Sequence, residues 1–502
     1  MGLKSKLSIL FARFAIYKRN KWANNPIKTA ESDFKKLIAK GRNTAFGRDH
    51  DFDSIESYQD FKKRVPIRDY EGLRPYIERV IKGESDVLWP GLPVYLCKTS
   101  GTTSGTKYIP LTKDSMPNHI GSARDALLSY INDSGNSHFV DGKMIFLQGS
   151  PLLNTEGKIP TGRLSGIVAN YVPAYLQKNR MPSWDTNCIE DWESKVDKIV
   201  EETINEDMRL ISGIPSWVQM YFERLRDASG GKKIKDIFPN FSLFVYGGVN
   251  YEPYRQRFEE LIGKSIPAVE LYPASEGFIA YQDSQKDEGL LLVLNSGIFY
   301  EFIKADDFHN DNPERYELKD VELGVNYVLI INNNAGLWGY NIGDTVKFVS
   351  KDPYRLVVTG RIKHFISAFG EHVIGKEVEE AIKEAIKSHG GQVIEFTVAP
   401  EVDPPGAEDL PYHEWFIEFA QAPEDMEGFA EAIDKELQNQ NSYYFDLLQG
   451  NILQRLKITS LQKDAFNNYM RSIGKLGGQN KIPRLSNDRK IADGLKLYIL
   501  KN

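Results

Sequence analysis

The chain has little cysteine, no surplus of basic charge and no long apolar run. Cys97 and Cys188 are its only cysteines in 502 residues. Two widely spaced thiols make neither a disulfide framework nor a metal cage, so a reducing compartment, the cytoplasm, is the expected location. A formal net charge of -6 argues against a nucleic-acid partner, whose binders carry a basic surplus. No segment approaches the roughly 20 consecutive apolar residues of a membrane span, so no stable membrane insertion is expected. Residues 7–16 are apolar and follow Lys4 and Lys6, as in a signal sequence. Arg13 interrupts that run, and no small-residue cleavage site follows. Internal repeats and low-complexity tracts are absent, and the eight histidines show no metal-ligand spacing.

What is present is an ordinary globular mixture, 41% hydrophobic and 26% charged, in a chain long enough for two to four structural units. Near the start, Leu3, Leu7, Leu10, Phe11 and Phe14 share one helical face. Packing of that face on the body is the expectation, and contact with a membrane surface is the alternative. From Val94 onward, short β-rich runs (94–96, 144–147, 243–246, 268–271) alternate with helical patterns at 217–225 and 254–261. That alternation predicts an α/β fold with a mostly parallel sheet flanked by helices. After Gly297 the texture becomes strand upon strand, at 299–303, 327–331, 346–349 and 356–358, which predicts an antiparallel meander or a small β-barrel-like region. A compact α+β pattern then follows: helix 376–388, strands 393–398 and 414–419, and helix 424–437. The main boundary is therefore expected near residue 360, dividing a large domain, 1–359, from a small C-terminal domain, 360–502.

Five short stretches carry candidate chemistry. Thr99-Ser100-Gly101-Thr102-Thr103-Ser104-Gly105-Thr106-Lys107 offers hydroxyl donors and close backbone approach to an anion. It is not a Walker A loop, since Gly101 and Gly105 are one residue too close, and a plain surface loop has the same composition. In Tyr272-Pro273-Ala274-Ser275-Glu276, Glu276 is a candidate Mg2+ ligand, Ser275 a phosphate donor and Tyr272 a base-stacking ring. A core tyrosine and a solvated glutamate are the plainer readings. Asp344, in Tyr340-Asn341-Ile342-Gly343-Asp344, has a carboxylate able to accept from both hydroxyls of a ribose; a hairpin turn is the alternative. Arg361 and Lys481 are candidate phosphate contacts at the domain junction and in a glycine-rich C-terminal loop. Each also reads as an ordinary solvated cation.

The order of these stretches resembles the adenylate-forming superfamily of acyl ligases and luciferase-like enzymes. More closely, the chain resembles the Gretchen Hagen (auxin-responsive) family of acyl acid amido synthetases, the auxin- and jasmonate-conjugating enzymes of plants. That likeness rests on residues 99–112, on Tyr246-Gly247-Gly248 leading to Glu276, on 337–346, on 480–484, and on an N-terminal stretch from Phe46-Gly47 through Val65-Pro66 to Leu88-Trp89. It covers essentially the whole chain. Two local departures stand out: plant members usually have Ala-Ser where this chain has Pro273-Ala274, and Arg where it has Asn341.

The resemblance implies ATP and Mg2+ as cofactors, and a carboxylic acid and an amine, such as an amino acid, as small-molecule partners. It makes Ser100, Gly101, Thr102, Thr103 and Ser104 the phosphate loop, with Gly248, Tyr272 and Ser275 at adenine or the α-phosphate. By the same likeness Glu276 would bind Mg2+, Asp344 the ribose, and Arg361 the nucleotide beside a hinge at 361–363. Lys481 would enter from a mobile C-terminal domain. The implied reaction forms an acyl adenylate and then an amide, releasing pyrophosphate and AMP. An acyl-CoA ligase and a non-catalytic nucleotide sensor are the alternatives.

Overall fold

The computed structural model describes residues 2–100, 106–171, 178–248, 251–362, 365–366, 373–402, 404, 410–449, 453–476, 481–486 and 488–500. It divides into two compact units. One comprises Met1–Ile214, Arg224–Val249 and Ser265–Val357; the other comprises Pro215–Glu223, Asn250–Lys264 and Val358–Asn502.

The first unit is organised on an eleven-stranded sheet. Its parallel half runs Ala268–Ala274, Leu243–Gly247, Met208–Ser212, Lys143–Phe146 and Arg180–Met181. These strands are short and largely apolar, as expected of strands covered on both faces. Gly277–Tyr281 turns back antiparallel on Ala268–Ala274, and Leu290–Leu292 then pairs with Tyr354–Arg361. Through that strand the antiparallel half continues into Tyr340–Lys351, Asn326–Asn333 and Ile298–Lys304. The strand-rich stretch after Gly297 is thus a meander continuous with the parallel half. Strand Tyr95–Ser100, by contrast, belongs to a separate four-stranded sheet, where it pairs with Thr106–Leu111 and Ile159–Gly162.

One hydrophobic cluster holds this unit's N-terminal helices against the meander. Trp338 is fully buried among Phe46, Phe52 and Trp89, and its indole N–H donates to the Leu88 carbonyl at 3.1 Å. The stretches 46–47, 65–66 and 88–89 therefore form the packing socket for the segment that carries Asp344.

The first helix, Leu3–Ala23, overturns an expectation. Leu7, Leu10, Phe11 and Phe14 are 57%, 62%, 51% and 52% exposed, and it is Ser5 and Ala12 that are completely buried. The reason is geometric: the small side chains let this helix lie close on helix Met116–Ser134, where bulky ones would hold it off. Asp141 fixes one end by accepting from the Gly2 and Ser5 amides, and the Arg19–Asp283 ion pair, at 2.9 Å, fixes the other.

In the second unit, strands Gln392–Glu401 and Tyr412–Gln421 pair antiparallel, and Lys457–Leu461 adds in parallel. Helices Gly375–His389 and Met426–Gln440 bury Val378, Ile382, Phe429 and Ile433 with Phe396, Trp415 and Ile417 of the sheet. Helix Glu252–Ile262 belongs to this unit as well, and its Tyr254 hydroxyl donates to Glu395 at 3.1 Å.

Candidate active site

The hydroxyl-glycine stretch spans two antiparallel-paired strands, Tyr95–Ser100 and Thr106–Leu111, in which Ser100 stands opposite Thr106. Gly101, Thr102, Thr103 and Ser104 lie outside the described residues, as does the side chain of Ser100. The second of these strands is fixed by Tyr70, whose hydroxyl accepts the Tyr108 amide at 3.0 Å, while the Lys107 ammonium lies over the Tyr70 ring.

Ser275 and Glu276 form the turn between strands Ala268–Ala274 and Gly277–Tyr281. Glu276 is half-buried. Asn333 donates to the Glu276 carbonyl at 2.6 Å, and its own side-chain oxygen accepts from the Ala335 and Leu337 amides. Two residues past Glu276, Asn118 clamps both backbone groups of Phe278. The turn is therefore held by its main chain. Ser275 accepts from the Cys97 thiol at 3.2 Å, which links this turn to strand Tyr95–Ser100. Cys97 is fully buried, and burial first, then the nearby Glu276 charge, pushes its thiol up to about 12. It stays protonated, a donor and not a nucleophile.

Asp344 lies within strand Tyr340–Lys351, not in a hairpin turn. The pairing with Asn326–Asn333 skips here, from Thr345 opposite Val328 to Asn341 opposite Ile330. The extra residues bulge at Gly343, whose φ of +86° suits glycine and whose amide donates to Asn341. The bulge re-aims Asp344, and the Tyr272 hydroxyl donates to it at 2.6 Å. Two motifs 72 residues apart therefore meet. Tyr272 is itself buried, its hydroxyl committed to this contact.

Gly247 ends the neighbouring parallel strand. A Cβ there would come within 2.5 Å of the Leu271 carbonyl, so only glycine permits this approach. Gly248 follows as an exposed bend with φ of +77°. Gly248, Ser275 and Glu276 thus gather just beyond the C-terminal ends of adjacent parallel strands, the end at which open α/β sheets bind ligands.

Arg361 ends strand Tyr354–Arg361, and its side chain is outside the described residues, as is Lys363. Lys481 is exposed in the second unit. Three residues on, Arg484 donates to Glu379, Glu395 and the Tyr254 hydroxyl, a part-buried anchor for the chain that follows Lys481.

Several supporting residues escaped sequence reasoning. Asn333 lies in the run Asn332-Asn333-Asn334, whose composition suggested only a turn. Arg163, at the N-terminus of helix Leu164–Ala169, accepts the Ile167 amide at its carbonyl, and burial lowers the pKa of its guanidinium. The Leu164 backbone bonds to Cys97, so this cation borders the same linkage.

Among the described residues no three or more His, Cys, Asp or Glu side chains converge. Mg2+ needs no such cage, because it takes one or two carboxylates and fills its shell with phosphate oxygens and water. A half-buried Glu276 on a rigid turn fits that donor set.

Three family profiles match in order along the chain: the GH3 family N-terminal domain at residues 15–186, the central domain at 291–361 and the C-terminal domain at 376–490. The chain belongs to the GH3 family. A jasmonoyl-L-amino acid synthetase of Nicotiana attenuata is 22% identical over 64% of this chain and 66% of its own length, so the chain spans just under two thirds of that GH3 relative. An indole-3-acetic acid-amido synthetase of Arabidopsis thaliana is 22% identical over 68% of this chain and 69% of its own. Among solved structures, a GH3 acyl acid amido synthetase in complex with 2,4-DB superposes with a TM-score of 0.78 at 16% identity, covering 98% of this chain and 96% of that one. A 2-hydroxyisobutyryl-CoA ligase in its postadenylation state reaches 0.59 at 13% identity, over 93% and 91%. The GH3 fold is thereby shared with an adenylate-forming ligase. No helix among the described residues is long and apolar enough to cross a membrane.

Proposed function

We propose that this chain is an acyl acid amido synthetase, which activates a carboxylic acid as its acyl adenylate and passes the acyl group to an amine, most simply an amino acid. The observation that carries this reading is the Tyr272–Asp344 hydrogen bond. It joins a candidate ribose acceptor to the strand ending in Ser275 and Glu276. Family membership supports the same reading, since the named relatives join carboxylic acids to amino acids.

In the first half-reaction a substrate carboxylate oxygen attacks the α-phosphorus of ATP, the new P–O bond forms, and the bond to pyrophosphate breaks. Two anions must approach, so the protein's task is orientation and charge compensation. Ser100, Thr102, Thr103 and Ser104, with the Gly101 and Gly248 backbones, would hold the phosphates; Tyr272 and Ser275 would border the adenosine α-phosphate. Asp344 would accept the ribose hydroxyls, with Tyr272 holding its carboxylate in place. Glu276 would hold Mg2+, which when bound neutralises phosphate charge. Lys481 would offset the charge developing at the α-phosphate, and Arg361 would contact the nucleotide where residues 360–502 join the rest of the chain.

In the second half-reaction the amine nitrogen attacks the acyl carbon, the mixed anhydride expels AMP, and the nitrogen gives up a proton. No protein nucleophile is required, which agrees with a protonated, buried Cys97. Residues 360–502 would turn about 361–363 between the two steps.

The test is pyrophosphate release from Mg-ATP across a panel of aryl, indolyl and fatty carboxylic acids, each with amino acids, with CoA or alone. Acid-dependent release, with an amide formed only in the amino-acid arm, is the expected result. A thioester in place of the amide would overturn the acceptor assignment. ATP binding without acid-dependent release would overturn the reading as a whole.

A further inference from the structure

We propose that helix Leu3–Ala23 is an interfacial membrane-binding element that seats this protein on an anionic lipid surface. The helix presents Leu7, Leu10, Phe11, Phe14 and Tyr17, all more than half exposed, at positions i, i+3, i+4, i+7 and i+10. That spacing makes one continuous apolar stripe. It is also turned outward by construction. Ser5 and Ala12 are completely buried on the opposite side, the Ser5 hydroxyl donates to the Ser137 carbonyl at 3.0 Å, and Arg19 is paired with buried Asp283. Rolling the helix to hide the stripe would break each of these contacts and drive phenylalanine and leucine into a space fitted to serine and alanine.

Charge decides what covers the stripe. The helix carries Lys4, Lys6, Arg13, Lys18, Arg19 and Lys21 and no Asp or Glu, in a chain whose net charge is -6. Lys18 and Lys21 lie along the stripe itself, their ammonium groups 4.5 and 4.6 Å from the centroids of Phe14 and Tyr17. The ammonium groups lie over the ring faces, so cation and aromatic ring are offered together on the exposed side of the helix. This is the arrangement that places aromatic rings at the acyl boundary and ammonium groups among headgroup phosphates. A second copy of the same face would set cation against cation, so self-association is disfavoured by the very residues that favour lipid. At 21 residues with six cations the helix lies on a bilayer and does not cross it.

The experiment is co-sedimentation of the full chain with phosphatidylcholine vesicles, with and without phosphatidylserine, for the unaltered protein and for a Leu10→Ser/Phe14→Ser variant. Both substituted side chains are solvent-exposed, so the melting temperature should not move, and measuring it guards against a folding defect. Binding to the serine-lipid vesicles should exceed binding to neutral ones by about tenfold or more, fall with added salt, and drop by about tenfold in the variant. Absence of binding to either vesicle overturns the proposal. So does binding that the variant leaves intact, since the stripe would then play no role. Dimerisation abolished by the variant, without vesicle binding, would assign the face to a second copy and equally overturn it.

Discussion

Replacing Glu301 by glutamine tests how the structure supports its site. Glu301 is completely buried in strand Ile298–Lys304. One carboxylate oxygen accepts from Arg315 Nε and the Tyr58 hydroxyl, both at 2.8 Å, and the other from Arg315 Nη2 at 2.7 Å and Asn332 Nδ2 at 2.8 Å. Glutamine keeps the shape but removes the charge, and its NH2 must face two of those four donors. Arg315, only 8% exposed, is then left without its counterion. Breaking a buried pair from one side costs about 3–5 kcal/mol, a large share of the roughly 5–15 kcal/mol that holds a domain together. Urea unfolding followed by tryptophan fluorescence should show that loss as a lower midpoint at unchanged slope. The double replacement Glu301→Leu/Arg315→Met removes both charges and should recover most of the loss. Function should respond too, because the Asn332 side-chain oxygen accepts the Gly339 amide at 2.6 Å, at the root of the segment bearing Asp344. KM for ATP should therefore rise more than kcat falls. A loss below about 1 kcal/mol in Glu301→Gln, or a double replacement as unstable as the worse single one, would refute the reasoning.

Three further outcomes are expected. Tyr272→Phe deletes only the hydroxyl that donates to Asp344; a hydrogen bond to a charged group contributes about 1.5–3 kcal/mol, so the melting temperature should fall by a few degrees while KM for ATP rises by about tenfold or more, and an unchanged KM in the folded variant would remove Asp344 from the nucleotide. Glu418 is pushed up to about 7, chiefly by burial, although the Asp464 and Phe466 amides favour its charged form. Because the folded state keeps a proton that the unfolded chain releases near 4.5, the stability it contributes is full below that pH and is lost as pH rises to about 7. The unfolding free energy should fall across this window by about 3 kcal/mol, read as a falling urea midpoint, and Glu418→Gln should flatten the fall. Finally, Gly247→Ala drives a Cβ against the Leu271 carbonyl, which must push a pair of core strands apart, so a loss of about 1–3 kcal/mol together with weaker ATP use should follow.

The motifs of the candidate site are legible in the sequence because each is a local composition. A hydroxyl-glycine stretch, a Ser-Glu pair after a strand and a Gly-Asp pair are all visible within a few residues. What joins them is not local. The Tyr272–Asp344 contact depends on a bulge at Gly343, and Gly343-Asp344 reads equally well as a turn. Glu301 and Arg315 are 14 residues apart within strand-like texture, and no charge pattern marks them as partners. Strand Tyr95–Ser100 was recognisable as a strand, but its sheet was not, since its neighbours Thr106–Leu111 and Ile159–Gly162 are chosen by tertiary packing. In the first helix the period is legible in the sequence and the direction is not. Periodicity says which side chains share a face, whereas Ser5 and Ala12 decide which face the body accepts.

The Cys97–Ser275 contact makes the chain its own chronometer. A fully buried thiol held protonated near 12 is inert to alkylating reagents while strand Tyr95–Ser100 and the Ser275 turn stay together. With half-exposed Cys188 replaced by serine, a single cysteine sulfur remains. Its modification then proceeds only during excursions that separate the two elements, and the labelling rate counts those excursions directly. Nucleotide bound across the two elements would slow the count, with no fluorophore or foreign residue added to the fold.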